Sequence, residues 1–179
     1  MSPILGIFAS QGRVATNSYE SIATVLVGAG GSSTITFSSI PSTFKHLQLR
    51  YIYQGQGELL MTMNGDNTTS NYIRHFLYGN GASASAGSQE TPAYVGYMDS
   101  VATNSFSGGV CDILDYTNTN KQRVVRTLVG NDRNGTGDLV FYSGMPKSST
   151  TAISSLRVVL SSGSNIAQYS QFALYGIRG

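Results

Sequence analysis

At 179 residues the chain is long enough for one domain with a sizeable core. Only 11% of its residues are charged, against a usual ~25%, and 11 basic and 9 acidic side chains leave a net charge of +2. The basic residues are scattered apart from Lys121, Arg123 and Arg126, which argues against the stripe of a nucleic-acid-binding protein. A single cysteine, Cys111, excludes an internal disulfide framework, and no run reaches the ~20 apolar residues that span a bilayer.

The chain opens on an apolar run, Ile4-Leu5-Gly6-Ile7-Phe8-Ala9. It is short for a signal-peptide core and no positive charge precedes it, so it is expected to be retained. Burying each such side chain is worth roughly 1.5–3 kcal/mol. Residues 1–17 therefore read as a docking arm and linker, with Ile4, Leu5, Ile7 and Phe8 buried against a neighbouring subunit. The alternative is an ordinary first strand folded back on the body, which runs from 18 to 179.

Strand signals follow. Ser21–Val27 and Ser33–Phe37 alternate on either side of Gly28-Ala29-Gly30-Gly31 and are expected to pair antiparallel. Pro41 interrupts the ladder, and Leu47, Leu49, Tyr51 and Tyr53 then alternate as in a half-buried strand. Leu59–Met63 ends at Asn64-Gly65, a hairpin signal, and Tyr72–Tyr78 follows. Gly79–Ser88 is almost entirely Gly, Ala, Ser and Asn and reads as a long surface loop. Further strands are expected at Tyr94–Met98, Gly108–Tyr116, Gln122–Val129, Asp138–Tyr142, Ile153–Leu160 and Gln171–Ile177, with room for a short helical turn near Ala93 or Val101. Roughly ten strands separated by turn chemistry make an all-β chain. The first choice is an antiparallel β-sandwich of jelly-roll type, the second a Greek-key barrel.

Chemistry is weakly signalled. Asp112 and Asp115, three apart in a strand, fall on opposite faces, which does not suit a glycosidase pair. Asp112 reads as a buried, hydrogen-bonded residue at a sheet edge and Asp115 as a turn-former. His46 and His75 have no nucleophile elbow near them and read as packed or surface residues. Asn64–Asn67 and Asn131–Gly135 carry oxygen ligands but have the composition of tight turns. Gly28–Gly31 lacks the following helix that a phosphate cradle needs. Cys111 reads as a small buried residue. Neither a catalytic constellation, a metal nor a cofactor is expected. Eleven tyrosines with no tryptophan supply amphipathic contact surface. Tyr51, Tyr53, Tyr94, Tyr97 and Tyr116 are candidates for stacking on sugar rings or packing on a partner, and the alternative is that each straddles the core boundary.

Several blocks carry a family resemblance: Ile4–Gln11, Ser18–Val25, Ser39–Arg50, Asp112–Lys121 and Phe172–Ile177. Together they resemble small structural proteins of tailed bacteriophages, of the kind described as tail-fibre-like or decoration-like. The resemblance implies a non-enzymatic virion component, bound to other virion proteins and self-associating, with a trimer favoured. A tail fibre or baseplate protein presenting its sandwich to a host-surface glycan or protein is the first expectation. A head decoration protein is the second, and a glycan-binding or depolymerase module the third.

Overall fold

The computed structural model describes residues 18–96, 105–132 and 135–179. Among them are twelve strands: β1 (Tyr19–Leu26), β2 (Ile35–Phe37), β3 (His46–Tyr53), β4 (Leu59–Met63), β5 (Tyr72–Gly79), β6 (Ala84–Gln89), β7 (Ala93–Gly96), β8 (Ser107–Ile113), β9 (Val125–Asp132), β10 (Gly137–Pro146), β11 (Leu156–Leu160) and β12 (Gln171–Ile177). Every strand pairing is antiparallel. The larger sheet has eight strands in the order β1-β12-β3-β8-β9-β10-β5-β6, and the smaller has four in the order β2-β11-β4-β7. No helix among the described residues is long and apolar enough to cross a membrane.

The topology becomes simple once two hairpins, β5–β6 and β9–β10, are set aside. The remaining strands pair first with last (β1 with β12), second with second-last (β2 with β11), third with third-last (β3 with β8), and the two central ones together (β4 with β7). This is the jelly-roll double sheet, and there are two separate sheets rather than a closed barrel. The hairpins are insertions. They pair with each other through β10 and β5, and β9 joins them to β8, so one sheet doubles in width.

Alternation drives the core. Leu47, Leu49, Tyr51 and Tyr53 of β3 point inward beside Phe172 and Leu174 of β12, and meet Met61, Met63, Leu156 and Val158 of the smaller sheet. These side chains are nearly or fully buried. Gly176 keeps the same inward face open for Phe44, whose ring lies where a Cβ on Gly176 would project.

The segments at 21–27 and 33–37 do not pair: β1 belongs to the larger sheet and β2 to the smaller. Backbone bonds from Val27 to Ser170, and between Ser32 and Ile166, carry the connecting glycine-rich segment across the sandwich instead of folding it into a hairpin. Asn64-Gly65 does make a tight turn, with φ of 52° and 75°, but β4 and β5 leave it for different sheets. Finally, Gly79–Ser88 is not a loop. Asn80 accepts the Ala82 and Ser83 amides to close a short turn, and β6 returns along β5. Its ladder needs only backbone groups, and Gly87 leaves space for the Phe76 ring beside it. Ala93 is strand rather than helical turn, while Val101 lies outside the described residues.

Candidate functional site: the outer face of the larger sheet

One face of the larger sheet covers the core, and among the described residues the other has no layer on it. Strand register aligns the outward side chains into rows. One row runs Ala173, Arg50, Val110, Leu128, Phe141, Leu77, Ala86 across β12, β3, β8, β9, β10, β5 and β6. Val110 is 41% exposed, Leu128 52%, Phe141 40% and Leu77 60%. The next row runs Ile52, Gly108, Gly130, Leu139, Gly79 and adds two more exposed side chains, Ile52 and Leu139. The glycines leave these neighbours uncovered. Single exposed apolar residues are ordinary, but contiguous ones mark an interaction surface.

The opposite border of the patch is polar, with Gln48, Asp112, Arg126, Ser143 and His75 in register. Asp112 accepts a hydrogen bond from Gln48 Nε2 at 2.8 Å and faces Arg126 at 3.7 Å. Asp112 is thus hydrogen-bonded as expected, but β8 is an interior strand of the sheet rather than an edge. At the β3 end of the apolar row, Arg50 stacks between the rings of Tyr19 and Tyr175, 5.1 and 4.9 Å from their centroids.

Four of the five tyrosines named from sequence, Tyr51, Tyr53, Tyr94 and Tyr116, are not on this surface. Tyr53 and Tyr116 are fully buried and Tyr51 is 4% exposed. Tyr51 stacks on Phe172 at 5.9 Å, and burial pushes its phenol well up. The Tyr116 hydroxyl donates to the Pro41 carbonyl and accepts the Phe44 amide, tying down the segment before β3. Tyr94, 9% exposed, packs edge-on to Tyr142 and lies 3.8 Å under the Arg74 guanidinium. None of these four offers a free ring to a partner. Tyr97 and the arm residues Ile4, Leu5, Ile7 and Phe8 lie outside the described residues.

The other polar groups are tied up within the fold. Asp115 sits in a turn at φ 48° and binds Lys121 at 2.5 Å and Lys45 at 3.2 Å. The hydrogen bond from Lys121, then that from Lys45, lowers its carboxyl to about 2. His46 Nδ1 accepts the Asp115 amide at 2.9 Å, and His75 is exposed on the outer face. The Asn64 side chain holds Ala152 and Ser154, and Asp66 holds Thr68 and Asn71, so the oxygens of this turn face the protein's own donors. Cys111 is fully buried, and desolvation pushes its thiol up to about 12. Lys121, Arg123 and Arg126 do not form a patch: Lys121 pairs with Asp115, Arg123 is buried and Arg126 lies on the outer face.

Comparison with protein-family models, with curated protein sequences and with solved structures finds no match to this chain.

Proposed function

We propose that the chain is a non-enzymatic structural protein of a bacteriophage virion that packs against a second copy of itself through the outer face of its larger sheet. The observation that carries the self-association is the in-register apolar row Val110-Leu128-Phe141-Leu77, with no layer over it among the described residues. A second copy is the occupant because the patch is self-complementary. Each face offers an apolar strip bordered by an acid and a base, Asp112 and Arg126, with Arg50 held between two tyrosine rings at its β3 end. A two-fold-related copy then meets strip with strip and can set each Arg126 beside the opposing Asp112, with no single-sign field to repel it.

The virion setting rests on the phage-like sequence blocks, the low charge and the jelly-roll body. In this reading the arm Ile4–Ala9 fixes the protein to a tail fibre or baseplate, and the body faces a host-surface glycan or protein. Immunogold labelling of intact particles tests it. Gold at the tail end supports the fibre reading, gold on the head supports decoration, and absence from purified particles removes the virion assignment. Deleting residues 1–11 should leave a folded body that no longer incorporates into particles, and normal incorporation would refute the docking arm.

A further inference from the structure

Arg123 lies just before β9 and is 1% exposed. Its guanidinium donates to the carbonyls of Ser149, at 2.9 Å, and Thr151. None of the ion pairs among the described residues includes it, and its buried Nε has no acceptor. Buried cations in folded proteins are normally matched by an anion, because carbonyl dipoles return less than the lost hydration of a full charge. The other buried arginine, Arg74, follows that rule, with Glu58 at 3.7 Å and three aromatic rings around it.

The guanidinium, which is in no ion pair among the described residues, lines a cavity of about 300 Å³ shared with Asn64, Asp66, Tyr72, Ser149 and Thr151. This is at the lower end of small-molecule sites. The cavity also holds a fixed anion. Asp66 accepts the Thr68 amide at 3.0 Å and Asn71 Nδ2 at 2.8 Å, and the Tyr72 hydroxyl is turned onto the Asp66 carbonyl at 2.9 Å. A compact anion such as sulfate would meet Arg123 favourably and Asp66 unfavourably. A ligand suited to both places a carboxylate at Arg123 and hydroxyl donors at Asp66.

We infer that this cavity binds a small hydroxylated carboxylate, with a single hexuronate unit as the type, through Arg123 and Asp66. The inference goes beyond the virion reading and is independent of it, since the isolated full chain is enough to test it. The experiment titrates the protein with glucuronate, glucose and sodium sulfate at constant ionic strength. It follows the Arg123 Nε–H resonance by NMR and the thermal midpoint in parallel. Glucuronate should shift the Arg123 resonance and raise the midpoint, while glucose and sulfate leave both unchanged. Arg123→Met should abolish the response. Because that variant also loses two hydrogen bonds and can unfold, Asp66→Asn serves as the second probe. It keeps an acceptor for Thr68 and should let sulfate bind as glucuronate does. No glucuronate response overturns the proposal and leaves Arg123 as a staple for the segment at 149–151. Equal response to glucuronate and sulfate in the unmodified protein, or to glucuronate and glucose, overturns the ligand class.

Discussion

Replacing Leu128 with Glu tests the outer face most directly. Full burial of a Leu, Val or Phe side chain contributes roughly 1.5–3 kcal/mol. Val110, Leu128, Phe141 and Leu77 are each 40–60% exposed, so about half of that gain remains to each of them. Four such side chains come to roughly 3–6 kcal/mol per copy, or about 6–12 kcal/mol for two opposed faces. Association costs an estimated 4–15 kcal/mol, so the expected complex is weak: even the most favourable end of both ranges leaves about 8 kcal/mol, a Kd no tighter than about micromolar. Leu128→Glu removes one apolar contact from each face and sets two carboxylates near the two-fold axis. That is a loss of at least ~2 kcal/mol, or about thirtyfold in Kd. The monomer itself should be unaffected, because Leu128 faces outward and Thr127 and Val129 hold the core side of β9. Sedimentation velocity across a concentration series reads the association, and thermal unfolding of dilute protein confirms that the fold is intact. An unmodified protein that stays monomeric up to about 1 mM, a concentration at which a net gain of only ~4 kcal/mol already gives association, would refute the reasoning, as would a Leu128→Glu protein that associates equally well.

Other consequences follow from particular contacts. Gly176→Ala drives a methyl group into the Phe44 ring, which should cost about 1–3 kcal/mol and lower Tm by roughly 2–12 °C, with Phe44→Leu restoring part of the loss. Cys111 should resist thiol reagents in the native protein and react only as the chain unfolds, since it is fully buried and its thiol is pushed up to about 12; rapid native labelling would contradict this. Asp115 should titrate near pH 2 by carboxyl-carbon NMR. Its folded value is lowered from 3.8, so its contribution is present above pH 3.8 and lost as pH falls toward 2, and Lys121→Met should raise the midpoint because the largest cause is removed.

The strands were legible because alternation is a local property. β3, β4, β5, β8, β10 and β12 stand close to where apolar and polar residues alternate in the sequence. Their partners were not legible, because a strand's neighbour depends on chain paths far from it. The segments at 21–27 and 33–37 form adequate strands but find better ladders with β12 and β11. β6 escaped notice because its residues, Ala-Ser-Ala-Gly-Ser-Gln, carry no side-chain pattern and its pairing is made by backbone alone. For the tyrosines a signal was present. Tyr51 and Tyr53 share parity with Leu47 and Leu49, and that parity already points them inward. The outer rows needed register, which no single strand contains. Arg123 carries no local mark of burial, since its partners are carbonyls some twenty-five residues downstream.

The two inserted hairpins supply most of the apolar outer row. A jelly roll of two four-stranded sheets buries one face of each sheet against the other. Here the insertions widen one sheet to eight strands while its partner keeps four. The apolar row is built mostly on the added strands, with Leu128 on β9, Phe141 on β10 and Leu77 on β5, and only Val110 on the jelly-roll strand β8. The patch therefore depends on β10 and β5 meeting in register, and a one-residue slip of β5 would turn Leu77 inward and break the row. The edges of the widened sheet differ in the same direction. β1 has a register shift at Ser21/Ala23 and a charged Glu20, both of which discourage further pairing. β6 has no charge, no proline and a regular ladder, and no strand among the described residues pairs with its outer side. A widened sheet with an apolar outer face and one unguarded edge is an aggregation hazard in a free monomer, and packing against a second copy removes the exposed face from water.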